Sequence, residues 1–311
     1  MEYPMESQEV GHHHYLLTED ICPIMRVWGE THGFVVPGKK WFANNHKLLR
    51  MAIEKVLFSN DDVVVVDSLP HNYIVSEIQF LVYQAHAKLE VDLGCVVSLD
   101  RVYGIKMNCP HYHIEVNRVV NAEGQDLGRD RRFKALPIEE QIQQFSRRVT
   151  SRHVIVVDDG LWTGKTLEWM ISKLGEHNLV TSAVVVGVHV KHQGDKAIDF
   201  GMNPACLKAV QTYDSNRPVW DWVCERDFVP GVPFGGRTVE ESIYKDKYPI
   251  SIGAFYPTQK EWLWNWASLR DPEGEFRKFC YERSLILFRD IEKLSSRKVL
   301  FEDLERIPIE F

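Results

Sequence analysis

Apolar and polar positions alternate along this chain in blocks that read as strands and helices in turn. Val154, Ile155, Val156 and Val157 form an unbroken apolar run, the mark of a strand covered on both faces. Leu167, Met170, Ile171 and Leu174 follow at spacings of 3, 4 and 7, which predicts a helix over Thr166 to Leu174 with Gly175 as its C-cap. A second apolar strand is expected from Ala183 to Val190 after a short polar loop. Upstream, the pattern predicts strands over Asp62–Asp67 and Gly94–Leu99. It also predicts helices over Asn45–Phe58, Tyr73–Leu89 and Pro137–Thr150. Near the end, Phe276 to Leu294 reads as helical, a cap or a dimer interface. Trp262, Trp264 and Trp266 alternate at a spacing of two, which fits a strand-like or irregular packed segment.

This order predicts an α/β fold: one open, mostly parallel twisted sheet flanked by helices, with N- and C-terminal additions. The expected division is an N-terminal cap over residues 1–58, a core over 59–245, and an aromatic and helical extension over 246–311. Residues 1 to 20 read as loosely ordered, with His12, His13 and His14 an adventitious metal binder at most. No internal repeat is visible.

Composition narrows the function classes. The 311 residues carry 44% hydrophobic and 26% charged residues, ordinary for a soluble globule. A net charge of −7 argues against nonspecific nucleic-acid binding. No apolar stretch reaches membrane-spanning length and the acidic, polar start is no secretory signal, so a cytoplasmic protein is expected. Six scattered cysteines without a CxxC pair fit reduced thiols.

The segment that points at a ligand is Asp158-Asp159-Gly160-Leu161-Trp162-Thr163-Gly164-Lys165-Thr166. Two adjacent carboxylates stand where the valine strand should emerge, the region in which open α/β sheets bind ligands. Gly164 allows close backbone approach, Thr163 and Thr166 supply hydroxyls, Lys165 supplies charge, and a helix opens behind them. The P-loop pattern needs four residues between its glycines; Gly160 and Gly164 are separated by three. The double acid would also repel the phosphates of a P-loop ligand.

This DDxxxTGxT segment after a valine-rich strand resembles the ribose-phosphate motif of type I phosphoribosyltransferases. The resemblance implies that Asp158 and Asp159 hold the ribose hydroxyls of phosphoribosyl pyrophosphate (PRPP), and that Thr163, Gly164, Lys165 and Thr166 cradle its 5'-phosphate. It implies Mg2+ with PRPP as co-substrate, small-molecule substrates, and a homodimer. It also implies a loop after an early strand that receives pyrophosphate, with Ser68 to Asn72 as positional candidate. A mobile flap follows, whose candidate pyrophosphate contacts are Arg101, Lys106, Arg118, Arg129, Arg131 and Arg132. Trp162 stands where relatives acting on 6-oxopurines carry an acid, and indole cannot exchange a proton with a base. The resemblance then implies an acceptor that is another base, an amide or amine, or one outside nucleotide salvage. Trp162, Lys191, Trp222, Asp227 and Phe228 are candidate contacts to it, and Gly235-Gly236-Arg237 is a flexible turn with a candidate anion contact. The alternatives are a nucleotide or PRPP sensor on the same fold, or a hydrolase or transferase acting on a nucleoside 5'-phosphate. Separately, Cys109, His111 and His113 would share one face of a strand, a partial zinc ligand set.

Overall fold

The computed structural model describes residues 13–58, 64–89, 95–104, 111–120, 126–131, 135–191, 206–214, 216, 218–229, 269, 271 and 274–299. The protein is α/β, with two parallel sheets flanked by helices and a small antiparallel hairpin. The sequence pattern anticipates one sheet; the described residues form two parallel ones. The five-stranded sheet has the order β4 (His111–His113), β3 (Val96–Ser98), β7 (His153–Leu161), β8 (Val180–Val190), β9 (Leu207–Tyr213). Every neighbouring pair is parallel. The three-stranded sheet has β1 (His13–Glu19) at its centre, between β10 (Val219–Cys224) and β2 (Val64–Pro70), again all parallel. The hairpin pairs β5 (Val116–Val120) with β6 (Asp126–Arg131).

The valine run behaves as its pattern requires. Val154 and Val156 face one side of the five-stranded sheet, and Ile155 and Val157 face the other. All four are fully buried. On the first side, helices α5 (Ile138–Ser146) and α6 (Lys165–Glu176) contribute Ile142, Phe145, Leu167, Met170 and Leu174. On the other lies α3 (His71–Leu89), with Ile74, Ile78 and Val82. The short α4 (Arg101–Gly104) follows β3. This second core continues without a break into the three-stranded sheet and onto α1 (Ile21–His32), α2 (Lys39–Phe58) and α7 (Glu275–Ser295). One buried cluster thus draws on all three of the expected segments.

Several expectations are corrected. Residues 13–19 are the central strand of a sheet, because Tyr15, Leu16 and Leu17 are all fully buried. His14 is an interior partner: its Nδ1 lies 2.8 Å from Asp67 Oδ2. Gly175 is not the C-cap of α6. The helix runs on to Glu176, and Asn178 takes the left-handed conformation at φ 59°; asparagine tolerates that region better than most side chains. The C-terminal helix, expected as a cap or a dimer interface, packs as a cap on its own chain, where Phe288 meets Trp28 edge-on with ring centres 6.0 Å apart. Asp290 also accepts a bond from Trp41 Nε1 at 2.8 Å. No helix among the described residues is long and apolar enough to cross a membrane. The tryptophans at 262, 264 and 266 lie outside the described residues.

Two glycines of the site region separate cleanly in consequence. A Cβ on Gly187, in β8, would stand 2.6 Å from the Asp159 carbonyl oxygen and 2.7 Å from Ile74 Cγ2. Gly187→Ala is therefore expected to cost about 1–3 kcal/mol through overpacking. A Cβ on Gly175 meets nothing within 4 Å, and Gly175→Ala inside the helix is expected to add about 0.5–1 kcal/mol. Urea denaturation checks both: the midpoints should move in opposite directions at constant m-value.

Candidate functional site

The motif lies at the carboxyl end of the central strand. Asp158, Asp159 and Gly160 still belong to β7, each half-buried, and Leu161 closes the strand in the core. Trp162 is half-buried and packs against the core shared by both sheets. Thr163 is exposed, and Gly164 turns the chain at φ 72° into the first turn of α6, a conformation in which a side chain would be strained. No side chain caps this helix, so its first amides face the turn, as an anion site requires. Lys165 is exposed at the first helical position and Thr166 is half-buried.

Arg129 connects the hairpin to this turn. Its Nε donates to Thr166 Oγ1 at 2.8 Å. The hairpin stands in the chain between β3 and β7, where the flap is expected, and it lays a guanidinium beside the helix opening. Arg131, from the same strand, donates instead to the Ala135 carbonyl at 3.0 Å. The side chains of Arg101 and Arg118, and residues Lys106 and Arg132, lie outside the described parts.

Asp159 is held by a residue that no motif announces. Arg226, just beyond β10, donates from Nη2 to Asp159 Oδ2 at 3.2 Å and to Asp100 Oδ2 at 2.8 Å. Its Nε lies 3.2 Å from Asp20 Oδ2, and its backbone amide donates to Asp20 Oδ1 at 3.1 Å. Burial works against the guanidinium's charge, but Asp100, Cys224, Asp20 and Asp159 outweigh it and hold Arg226 firmly protonated. Asp20 follows β1, Asp100 follows β3 and Asp159 lies near the end of β7. The carboxyl ends of strands from both sheets thus meet on one cation. Asp100 Oδ1 also accepts the Val102 amide at 2.7 Å, which fixes the start of α4. Beside this group Tyr103 is buried, its hydroxyl unpaired among the described residues. Burial first, then Cys224, Asp20 and Asp159, outweigh Arg226 and push that phenol well above its usual pKa, so it stays neutral.

Of the remaining candidates, Trp222 packs its ring on Gly160, where no Cβ could fit, and donates from Nε1 to Thr18 Oγ1 at 2.8 Å. It belongs to the wall of the site. Phe228 is fully buried, edge-on to Phe276 with ring centres 5.3 Å apart, and is a core residue. Asp227 ends a 3-10 turn over Glu225–Asp227, and its side chain is not described. Lys191 follows β8 and is exposed, with its amide on the Tyr213 carbonyl at 2.8 Å. Nearby, burial first and Lys191 second lower the pKa of His189. Ser68 lies in the three-stranded sheet; the strand beside β7 is β3, and the turn after it is the one carrying Asp100. Residues 235–237 and Cys109 fall outside the described residues. His111 and His113 do share a face, with their Nε2 atoms 3.1 Å apart. Among the described residues, no three His, Cys, Asp or Glu side chains gather to hold a metal ion.

No protein-family model matches the chain, and no curated protein matches it. A solved structure of a hypothetical protein from Neisseria gonorrhoeae, with bound ppGpp, is similar over 50% of this chain and 84% of its own, at 16% identity and a TM-score of 0.35.

Removing Arg226 should expose how much rests on it. Arg226→Met leaves Asp20, Asp100 and Asp159 facing one another without a cation. With its side chain 24% exposed, the expected loss is about 3 kcal/mol, the low end for breaking a buried ion pair. Urea denaturation at pH 7 checks this; a loss below about 0.5 kcal/mol, the scale of an ordinary surface substitution, would contradict it.

Proposed function

We propose that the protein is a phosphoribosyltransferase: it takes PRPP, transfers the 5-phosphoribosyl group to a base or amine, and releases pyrophosphate. The observation that supports this best is the turn from β7 into α6. It combines adjacent carboxylates at the strand end, a glycine in the left-handed region, an uncapped helix start, and Arg129 on Thr166. Carboxylates accept hydrogen bonds from sugar hydroxyls, whereas the helix start, Lys165, Thr166 and Arg129 suit a phosphate. The two chemistries adjoin, as a sugar phosphate needs.

In this reading Asp158 and Asp159 orient the ribose, and the turn from Thr163 to Thr166 holds the 5'-phosphate. No protein nucleophile is needed: the sugar carbon becomes cationic as pyrophosphate departs, so positioning and electrostatics carry the rate. Mg2+ suits the site, because it takes oxygen ligands and is commonly held by one or two carboxylates together with substrate phosphates rather than by a protein cage. Asp158 and Asp159 are such donors. Trp162 and Trp222 offer apolar surface beside them for an acceptor ring.

A second reading, a sensor that binds the same ligand without turnover, draws support from the Arg226–Asp159 pair at 3.2 Å. A ribose hydroxyl must share that carboxylate with a guanidinium.

Pyrophosphate release in the presence of Mg2+, PRPP and a panel of bases and amines tests the proposal. Release that depends on one acceptor is expected. Asp158→Asn with Asp159→Asn should abolish it in a folded protein, and Arg129→Ala should weaken PRPP binding about tenfold or more, the worth of one charged hydrogen bond. Binding of PRPP without release under any acceptor would favour the sensor.

A further inference from the structure

A second constellation lies at the carboxyl edge of the other sheet. Ser68 Oγ is 2.8 Å from His46 Nε2, and His46 Nδ1 is 3.0 Å from Glu225 Oε1. The three residues come from β2, α2 and the turn after β10, and α3 begins three residues beyond Ser68. His46 and Glu225 are buried, at 9% and 2% exposure, while Ser68 is half-buried. A neutral imidazole has one N–H. When Glu225 accepts it at Nδ1, Nε2 keeps a lone pair for the Ser68 hydroxyl. Nucleophile, base and orienting acid then stand in line, each within hydrogen-bond reach of the next.

Glu19 adds a fourth group, with Oε1 3.3 Å from His46 Nε2. A proton arriving on Nε2 would be stabilised at once by Glu19, and the resulting imidazolium would lie between two carboxylates. Burial lowers the basicity of His46, but Glu225 and Glu19 more than restore it against a small opposing effect of Arg50, so its pKa is raised. Packing alone gives no reason for this set, because buried charged and polar groups cost free energy even when paired.

We infer that Ser68, His46 and Glu225 form a nucleophilic acyl-transfer site that hydrolyses a neutral or cationic carboxylic ester. Ser68 Oγ adds to the carbonyl carbon as its proton passes to His46 Nε2. Collapse breaks the bond to the leaving alcohol, which takes that proton. Water then adds to the acyl carbon and gives a proton to Nε2. Ser68 Oγ departs with that proton, and the carboxylic acid is released. The amino end of α3 places the positive end of a helix dipole at the same strand end, where it favours the oxyanion. Glu19 and Glu225 disfavour phosphorylated and carboxylated esters by repulsion. This site stands apart from the turn from Asp158 to Thr166 and does not depend on the phosphoribosyl reading.

A fluorophosphonate probe, applied to the full-length protein and followed by peptide mass spectrometry, tests the inference. Covalent modification is expected at Ser68 and absent in Ser68→Ala. Its rate should rise with pH through one ionisation above about 6.5, the ordinary histidine value, and fall at least tenfold in Glu225→Gln. The wild-type pH profile stands even if the Glu225 variant does not fold. No modification at Ser68, or a rate indifferent to pH, would overturn the assignment.

Discussion

The guanidinium of Arg226 is the point on which the two sheets and the candidate site depend. Without it, the chain would bring Asp20, Asp100 and Asp159 together with no cation between them. Carboxylates gathered around one cation repel one another once it is removed. With it, the carboxyl ends of β1, β3 and β7 are drawn to one residue beyond β10. The fold thereby places its own ion pairs where open α/β sheets bind ligands. The arrangement sets Asp159 in position and also engages one of its oxygens, so the same contact that builds the carboxylate end of the site restrains it.

Arg226 also lies between two constellations. Its neighbour Glu225 turns the other way and orients His46, while Arg226 reaches Asp159. A single 3-10 turn therefore carries the acid of one cluster and the cation of the other. Trp222, two strand positions before Cys224, fills the space over Gly160 and ties β10 to both β7 and β1. Changes in this short stretch should be felt at both strand edges, because it packs against each.

What could be read from the chain was local. The valine run and the spacing of Leu167, Met170 and Leu174 placed β7 and α6 to within a few residues, because burial on both faces of a strand and on one face of a helix leaves a direct periodic trace. Gly164 was legible as a turn for the same local reason. What escaped is held by distant partners. Arg226 meets Asp20, Asp100 and Asp159 across 206, 126 and 67 residues, and Arg226, Asp20 and Asp100 sit in no recognisable pattern. The strand at residues 13–19 was hidden as well. Its Tyr15, Leu16 and Leu17 are buried on both faces, so no alternation marks it, and the polar stretch ahead of it suggested disorder. Phe228 looked like a stacking surface because an aromatic residue has the same appearance in sequence whether it lines a pocket or fills a core.

The central claim is that the turn from Asp158 to Thr166 holds a phosphorylated ribose. Calorimetric titration of PRPP with Mg2+, with ribose 5-phosphate and ATP as comparators, tests it most directly. The account expects saturable binding that prefers PRPP to both comparators and requires the two adjacent aspartates. Absence of PRPP binding by the folded protein, or unchanged affinity in a folded Asp158→Asn/Asp159→Asn variant, would contradict it.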